Sequence, residues 1–333
     1  MGKHGLMREA PMVSVVIPTY NRKDMLKECL ESLFNQTYPK DKYEIIVVND
    51  GSTDGTEEVL KEYAKKAPCA FKWLTQQNKG SYAARNLGIK NARGEIICFI
   101  DDDCIADKRW LEELVRGFTD DGIGGVGGKI KAYSLKTSVE KYAKMDQESA
   151  IRNSFLITCN AAYRKDILEI VGYFDSYFRS GGDNDMGIRV TWKGYKLKYA
   201  SNAIVYHEHR TTLSDLIKQR YNYGVGEAIL SKKYGYSSIF MQFIIIKLLG
   251  LFYSVAALPI KLEKDMQILN IIVTSAYVLG MIKGILLDRY RVERWKSEQI
   301  RLEFLEEMKI LRAFRKLRKK YRLRWLCICL RTV

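Results

Sequence analysis

An α/β fold built on a mainly parallel sheet, followed by an α-helical membrane-associated region, is what this 333-residue sequence predicts, and three observations carry it. Short apolar runs alternate with amphipathic stretches from Val13 to about Phe118. Each of the four apolar runs ends in turn-forming polar residues: "PTYNR", "NDGSTDGT", "QQNKGSYAARN" and "DDD". Two long apolar stretches precede a basic C-terminus. Strand and helix in turn imply parallel strands covered on both faces, and in such sheets ligands bind beyond the carboxyl ends of the strands.

Residues 1–12 form a polar lead with no basic-then-apolar opening, so no secretory signal is expected. Continuous apolar runs predict strands over 13–18, 43–49, 71–76 and 96–101; helical periodicity predicts helices over 25–36, 53–66, 81–92 and 110–118. A glycine-rich strand follows residue 123, then a helix over 138–150 and a strand over 157–163. A helix beginning near Asp183, one or two strands ending at His207 and a helix over 213–234 complete a domain spanning 13–234.

Asp101, Asp102 and Asp103 stand where a buried strand ends, and carboxylates this close raise one another's pKa unless a cation relieves them. A second acidic pair, Asp183 and Asp185, starts a helix behind Gly181 and Gly182, which permit close backbone approach to a ligand. Two of the three histidines, His207 and His209, are one residue apart and fall on the same face of a strand. Closely spaced carboxylates suit Mg²⁺ or Mn²⁺. The literal GxGxxG at Gly122, Gly124 and Gly127 precedes a strand instead of joining a strand to a helix, so it lacks dinucleotide-binding mechanics. Seven scattered cysteines without a CxxC pair read as reduced, packed thiols.

The formal charge of +16 is unevenly placed: residues 288–333 hold 15 Lys/Arg against 6 Asp/Glu, a net +9. That tail adjoins two apolar stretches, which argues for lipid and against nucleic acid as its partner. Residues 239–260 contain 13 Ile, Leu, Phe or Val among 22 with one central charge, Lys247. Their insertion gains about 4–8 kcal/mol against about 2.5–3.5 for a mid-bilayer lysine. Residues 268–287 form a second run with Asn270 and Lys283 near its ends, and "KLEKDMQ" between the runs makes residues 235–287 a membrane-embedded helical hairpin. The positive-inside rule puts the tail and the α/β domain on the cytoplasmic side of the cell membrane. Leu305, Met308, Leu311, Phe314, Leu317 and Tyr321 recur at helical spacing among basic residues, as on a helix lying on anionic lipid. The alternative reading of the hairpin is a pair of buried helices joining copies of a homo-oligomer.

The stretches "VSVVIPTYNR", "IIVVNDGSTDGT", "NKGSYAARNLGI", "CFIDDDC", "NAAYRKDIL", "GGDNDMGIR", "KGYKLKYASNAIVYH" and "QRYNYGVGEAIL" occur in one order over roughly residues 13–230. They resemble family 2 of the glycosyltransferases, whose catalytic domain has the Rossmann-like GT-A fold. The resemblance implies an inverting transfer from a nucleoside diphosphate sugar, UDP being the expected nucleotide, and the proximity of the bilayer favours a lipid-linked or growing polysaccharide acceptor. It implies that Asp103, Asp101 and His207 hold Mn²⁺ or Mg²⁺ and that Asp101 and Asp102 approach the nucleotide. Asp50 would accept a hydrogen bond from the base, with Pro18, Thr19, Tyr20 and Asn21 beneath it and Lys79 and Arg85 near the diphosphate. Asp183 would be the general base, supported on the acceptor side by Gly182, Asp185 and Arg189. Two positions depart from the family pattern. Gly182 replaces the usual acidic residue, which removes a carboxylate beside the base and enlarges the acceptor pocket. Asn49 replaces the usual aspartate and alters turn bonding. The alternative to an active enzyme is a relative that kept the fold and binds nucleotide-sugars without turnover.

Overall fold

The computed structural model describes residues 10–143, 145–235, 237–256 and 264–287. Most of the expected lead and the whole basic tail lie outside the described residues. The four expected strands are present to within one residue: β1 (Val13–Thr19), β2 (Tyr43–Asn49), β3 (Ala70–Thr75) and β4 (Ile96–Ile100). The helices between them, α1 (Lys23–Phe34), α2 (Thr56–Lys66) and α3 (Ser81–Lys90), return the chain so that β1 pairs in parallel with β2 and β4, and β2 with β3.

After β4 the acidic triplet turns into β5 (Cys104–Ala106), a three-residue strand that sequence periodicity does not register. Then come α4 (Trp110–Arg116), β6 (Ile123–Ala132), α5 (Ser138–Tyr142), α6 (Gln147–Arg152), β7 (Asn160–Arg164) and α7 (Lys165–Val171). The single helix expected over 138–150 is two short ones because the chain caps twice. Thr137 accepts from Glu140 N in a capping box, and Asp146 then accepts from Ser149 N to start afresh. α8 (Gly182–Trp192), β8 (Lys196–His207) and α9 (Leu213–Lys233) follow. The strands form one mixed sheet in the order β3-β2-β1-β4-β7-β6-β8-β5, with β7 antiparallel to both neighbours, β6 parallel to β8 and β5 antiparallel to β8.

Alternation along β1 divides the core. Val13, Val15 and Ile17 pack with Leu26, Leu30 and Leu33 of α1, whereas Val16 faces the other layer with Phe99, Phe174 and Met186. Each fully buried leucine contributes about 1.5–3 kcal/mol, so the covered faces fix which strand ends gather on one rim.

Beyond the sheet, α10 (Ser237–Ala256) and α11 (Lys264–Leu286) pack on α9 through Ala228, Phe240, Ile244, Val278 and Met281. α9 and α11 touch almost backbone to backbone. A Cβ on Gly224 would stand 2.0 Å from Tyr277 O, and one on Gly280 would stand 2.0 Å from Tyr221 O. Of the two expected spans, one meets the length and composition of a membrane-crossing helix among the described residues, Met266–Leu286; the apolar stretch in α10, Phe243–Phe252, is shorter. Ile245, Leu248 and Phe252 of α10 and Leu279, Ile282 and Leu286 of α11 are exposed.

Candidate active site

A cleft of about 790 Å³ opens beyond the C-terminal ends of β1 and β4, with α9 as its far wall. The acidic triplet forms its base, where the sequence predicts that a divalent ion relieves the three charges. Within the chain, two guanidinium groups do so. Arg85 is buried and donates from Nη2 to Asp101 Oδ1 at 2.5 Å. Arg22 donates from Nη1 to Asp102 Oδ1 at 3.0 Å and to Asp103 Oδ2 at 2.8 Å. Thr19 Oγ1 adds a 2.8 Å bond to Asp102 Oδ2. Burial still prevails at Asp102, and with Asp103 and Asp101 pushing the same way its carboxyl is pushed up to about 6, although Arg22 and Thr19 pull it down. Burial works against the charge of Arg22, yet the three carboxylates hold its guanidinium well above the ordinary arginine value. Arg22 is a site residue that the sequence does not single out; its partners lie 80 and 81 residues away.

β5 explains how Asp103 meets a histidine. Cys104 is the cross-strand partner of His207 at the end of β8, and Glu208 N donates to Asp103 O at 3.0 Å. This places His207 Nε2 3.5 Å from Asp103 Oδ1, both groups buried. His209 is not on the strand as expected, because β8 ends at His207, yet the two rings still meet with their Nδ1 atoms 3.0 Å apart. Burial, reinforced by His207, lowers His209 to about 4, so it is a neutral imidazole at neutral pH. When Nδ1–H of His207 donates to His209, Nε2 carries a lone pair opposite a carboxylate oxygen, an arrangement that a cation resolves. Carboxylate oxygen and imidazole nitrogen are donors that suit Mn²⁺, so these residues fit the divalent ion the fold family implies.

Asp183 lies in the first turn of α8 and lines the same cleft. Thr158 N donates to its Oδ2 at 3.0 Å, Thr158 Oγ1 to its Oδ1 at 3.2 Å, and the Tyr82 hydroxyl is a third partner. Burial raises its pKa above the usual carboxylate range, and nearby Arg85 opposes that rise. Arg85 therefore faces two carboxylates, Asp101 and Asp183, while its guanidinium carbon lies 5.4 Å from the Tyr82 ring centroid.

Other expected residues serve the frame. Pro18 and Tyr20 line the cleft. Asp50 is on the cleft too but accepts from Gln76 Nε2, Lys79 N and Gly80 N at 2.7–2.8 Å, bracing the turn before α3. Lys79 takes part through its backbone and its side chain is exposed, outside the cleft lining. Asn21 has φ 52 and ties two loops, donating from N to Ser52 Oγ and accepting from Thr53 N on Oδ1. Asn49 accepts from Ser52 N at 2.9 Å, a turn bond as expected. Asp185 and Arg189 point away from the cleft: Arg189 Nη2 and Nε donate to Asp185 Oδ2 at 2.7 and 3.0 Å, and Lys233 Nζ lies 2.6 Å from its Oδ1.

Gly182 does not enlarge the pocket. A Cβ there would meet the buried Tyr82 ring at 2.8 Å, and that ring is stacked on Phe174 with centroids 5.6 Å apart. The space an acidic side chain would use is filled by the tyrosine that contacts Asp183. Gly182→Ala should therefore cost about 1–3 kcal/mol through overpacking, read as a lowered thermal midpoint, and a neutral result would show that Tyr82 can yield.

The Glycosyl transferase family 2 model matches residues 14–172, and the Glycosyl transferase family group 2 model matches 96–287, more than half the chain. Glycosyltransferase AglE of Haloferax volcanii is 35% identical over 223 residues, covering 65% of this chain and 73% of that protein. Dolichyl N-acetyl-alpha-D-glucosaminyl phosphate 3-beta-D-2,3-diacetamido-2,3-dideoxy-beta-D-glucuronosyltransferase of Methanococcus voltae is 28% identical over 298 residues, 84% of this chain and 87% of that one. Mannosyltransferase PcManGT from Pyrobaculum calidifontis, solved in complex with GDP-Man and Mn²⁺, superposes with a TM-score of 0.61 at 20% identity over 85% of this chain and 89% of that chain. The shared architecture is the GT-A fold, and by its family matches the chain belongs to glycosyltransferase family 2 and is an enzyme of the glycosyltransferase type.

Proposed function

We propose that this enzyme is an inverting, metal-dependent transferase that moves a sugar from a nucleoside diphosphate sugar, with UDP as the nucleotide, to a hydroxyl of a lipid-linked or growing polysaccharide acceptor. The observation that carries the reading is the convergence of Asp103, His207 and Asp183 on one cleft, with Arg85 against both Asp101 and Asp183. Asp103, Asp101 and His207 would hold Mn²⁺ or Mg²⁺, which supplies charge neutralisation for the departing diphosphate. Asp102 stays bonded to Thr19 and Arg22 and positions Arg22 beside that charge. Pro18, Thr19, Tyr20 and Asp50 form the base-binding end. Asp183, fixed by Thr158 and Tyr82, takes the proton of the attacking hydroxyl, and attack on the face opposite the leaving group inverts the anomeric carbon.

The acceptor side supports a lipid link. One face of α9 walls the cleft, and the other packs on α10 and α11, whose outer apolar side chains are exposed. The Methanococcus voltae relative is named for action on a dolichyl phosphate sugar. On this reading the apolar helices rest in the cell membrane with the catalytic domain on the cytoplasmic side. Arg210 and Lys218 line the α9 side of the cleft and form no ion pair among the described residues, so they suit the phosphate of such an acceptor. A charge-assisted contact is worth about 1.5–3 kcal/mol, so Lys218→Ala with Arg210→Ala should raise KM for a phospho-linked acceptor at least about tenfold with kcat nearly unchanged. An unchanged KM would remove both from acceptor binding.

The deciding assay incubates the full chain in bilayer discs with UDP- and GDP-sugars, with and without Mn²⁺, and polyprenyl phosphate-linked sugars. Metal-dependent release of nucleoside diphosphate with a product of inverted anomeric configuration is expected. Retained configuration, or turnover indifferent to chelator, would overturn the mechanism.

A further inference from the structure

The scattered cysteines offer no metal motif in the sequence, but the fold gathers two of them at the histidine. Cys104 opens β5 across from His207, and Cys159 immediately precedes β7. All three side chains are buried, and their ligating atoms lie within 4.8 Å of one another. Asp103 adds a fourth donor. Its Oδ1 is 3.8 Å from Cys104 Sγ and 3.5 Å from His207 Nε2, while its Oδ2 is held by Arg22 at 2.8 Å. Two thiols and an imidazole, brought from three separate stretches of chain, thus form one group, and the Asp103 carboxylate stands beside two of its members.

We infer that Cys104, Cys159, His207 and Asp103 form a thiolate-containing site for a thiophilic divalent cation, Zn²⁺, overlapping the oxygen-rich site assigned above to Mn²⁺ or Mg²⁺. Zn²⁺ takes four such ligands at about 2.0–2.3 Å, which sets donors roughly 3.3–3.8 Å apart, so the ligating atoms of Cys104, Cys159 and His207, within 4.8 Å of one another, need draw together by at most about 1–1.5 Å, with Asp103 closing in from beside them. Each thiol releases its proton to solvent as it ligates, and no oxidation is involved. Arg22 offsets the added negative charge from beside Asp103. Hard ions favour oxygen and leave the thiols protonated, whereas Zn²⁺ draws His207 and Asp103 onto the sulfur side. Zinc therefore competes with the ion that serves transfer. Only this competition rests on the proposed reaction; the binding does not.

The test is Co²⁺ titration of the chelator-treated full chain. A near-ultraviolet thiolate-to-cobalt charge-transfer band is expected, bleached by Zn²⁺, lost in Cys104→Ser and in Cys159→Ser, and kept in Cys69→Ser. No band in the wild type, or a band surviving in both of the first two variants, overturns the site. Cadmium NMR on the unmutated protein decides the same question without any variant: a shift typical of two sulfur ligands supports the site, and one typical of oxygen and nitrogen alone refutes it. In transfer assays each serine variant should raise the Zn²⁺ concentration for half-inhibition by at least about tenfold, the lower end of what losing even an outer partner of a metal ligand costs. If transfer proves metal-independent, the spectra still decide the site.

Discussion

Asp183→Asn should retain nucleotide-sugar binding and lower kcat by ~10²–10⁴, the usual contribution of a positioned general base. The substitution keeps the shape of the side chain, and Thr158 N–H can still donate to the amide oxygen where it now donates to Oδ2 at 3.0 Å. What is lost is the ability to accept a proton. The pH profile separates this role from a structural one. Asp183 is raised by burial, so as pH falls through that raised value the carboxylate protonates and the rate declines; the acid limb of kcat should lie above the ordinary carboxylate range. Asp183→Asn should remove that limb from the residual rate. Equilibrium binding of a nucleotide-sugar and kcat between acid and neutral pH are the two measurements. A variant that transfers at the wild-type rate would take Asp183 out of the chemistry.

The parts of the fold that are legible in sequence are those where one physical signal dominates. β1, β2 and β4 are buried on both faces, so continuous runs such as Ile96–Ile100 declare themselves whatever their neighbours do. β5 has three residues and follows three aspartates, too little for any periodicity, yet it is the strand that sets Asp103 against His207. Asp101, Asp103, Asp183 and His207 stand out because their residue types announce charge or ligation. Arg22 and Thr158 stay hidden for opposite reasons. Arg22 acts through partners about 80 residues distant, while Thr158 acts partly through a backbone N–H that every residue except proline possesses. Tyr82 is masked by its own apolar character, being part of the core and of the Asp183 site at once.

Asp185→Ala should lower folding stability by about 3–5 kcal/mol, the cost of removing one partner from a buried ion network. Asp183 and Asp185 look like one acidic pair in the sequence, but residues two apart on a helix project about 200° from one another, so only one can face the cleft. Asp185 is fully buried and accepts from Arg189 Nε and Nη2 on Oδ2, with Lys233 and the Tyr234 hydroxyl on Oδ1 at 2.6 and 2.7 Å. These bonds fasten α8 to the end of α9, the helix that walls the cleft and carries the apolar pair. Alanine strips the Asp185 contacts from both cations while the Arg189 bond to Val171 O and the Lys233 bond to Asp175 stay in place. Asn should cost less than Ala because it keeps an acceptor. The expected readout is a lower urea midpoint with an unchanged slope, largest for Ala. Because the network pins the base of α8 without touching substrate, the Asn variant, once folded, should keep the acid limb that Asp183→Asn abolishes. Loss of that limb in Asp185→Asn would show that Asp183 alone does not account for it.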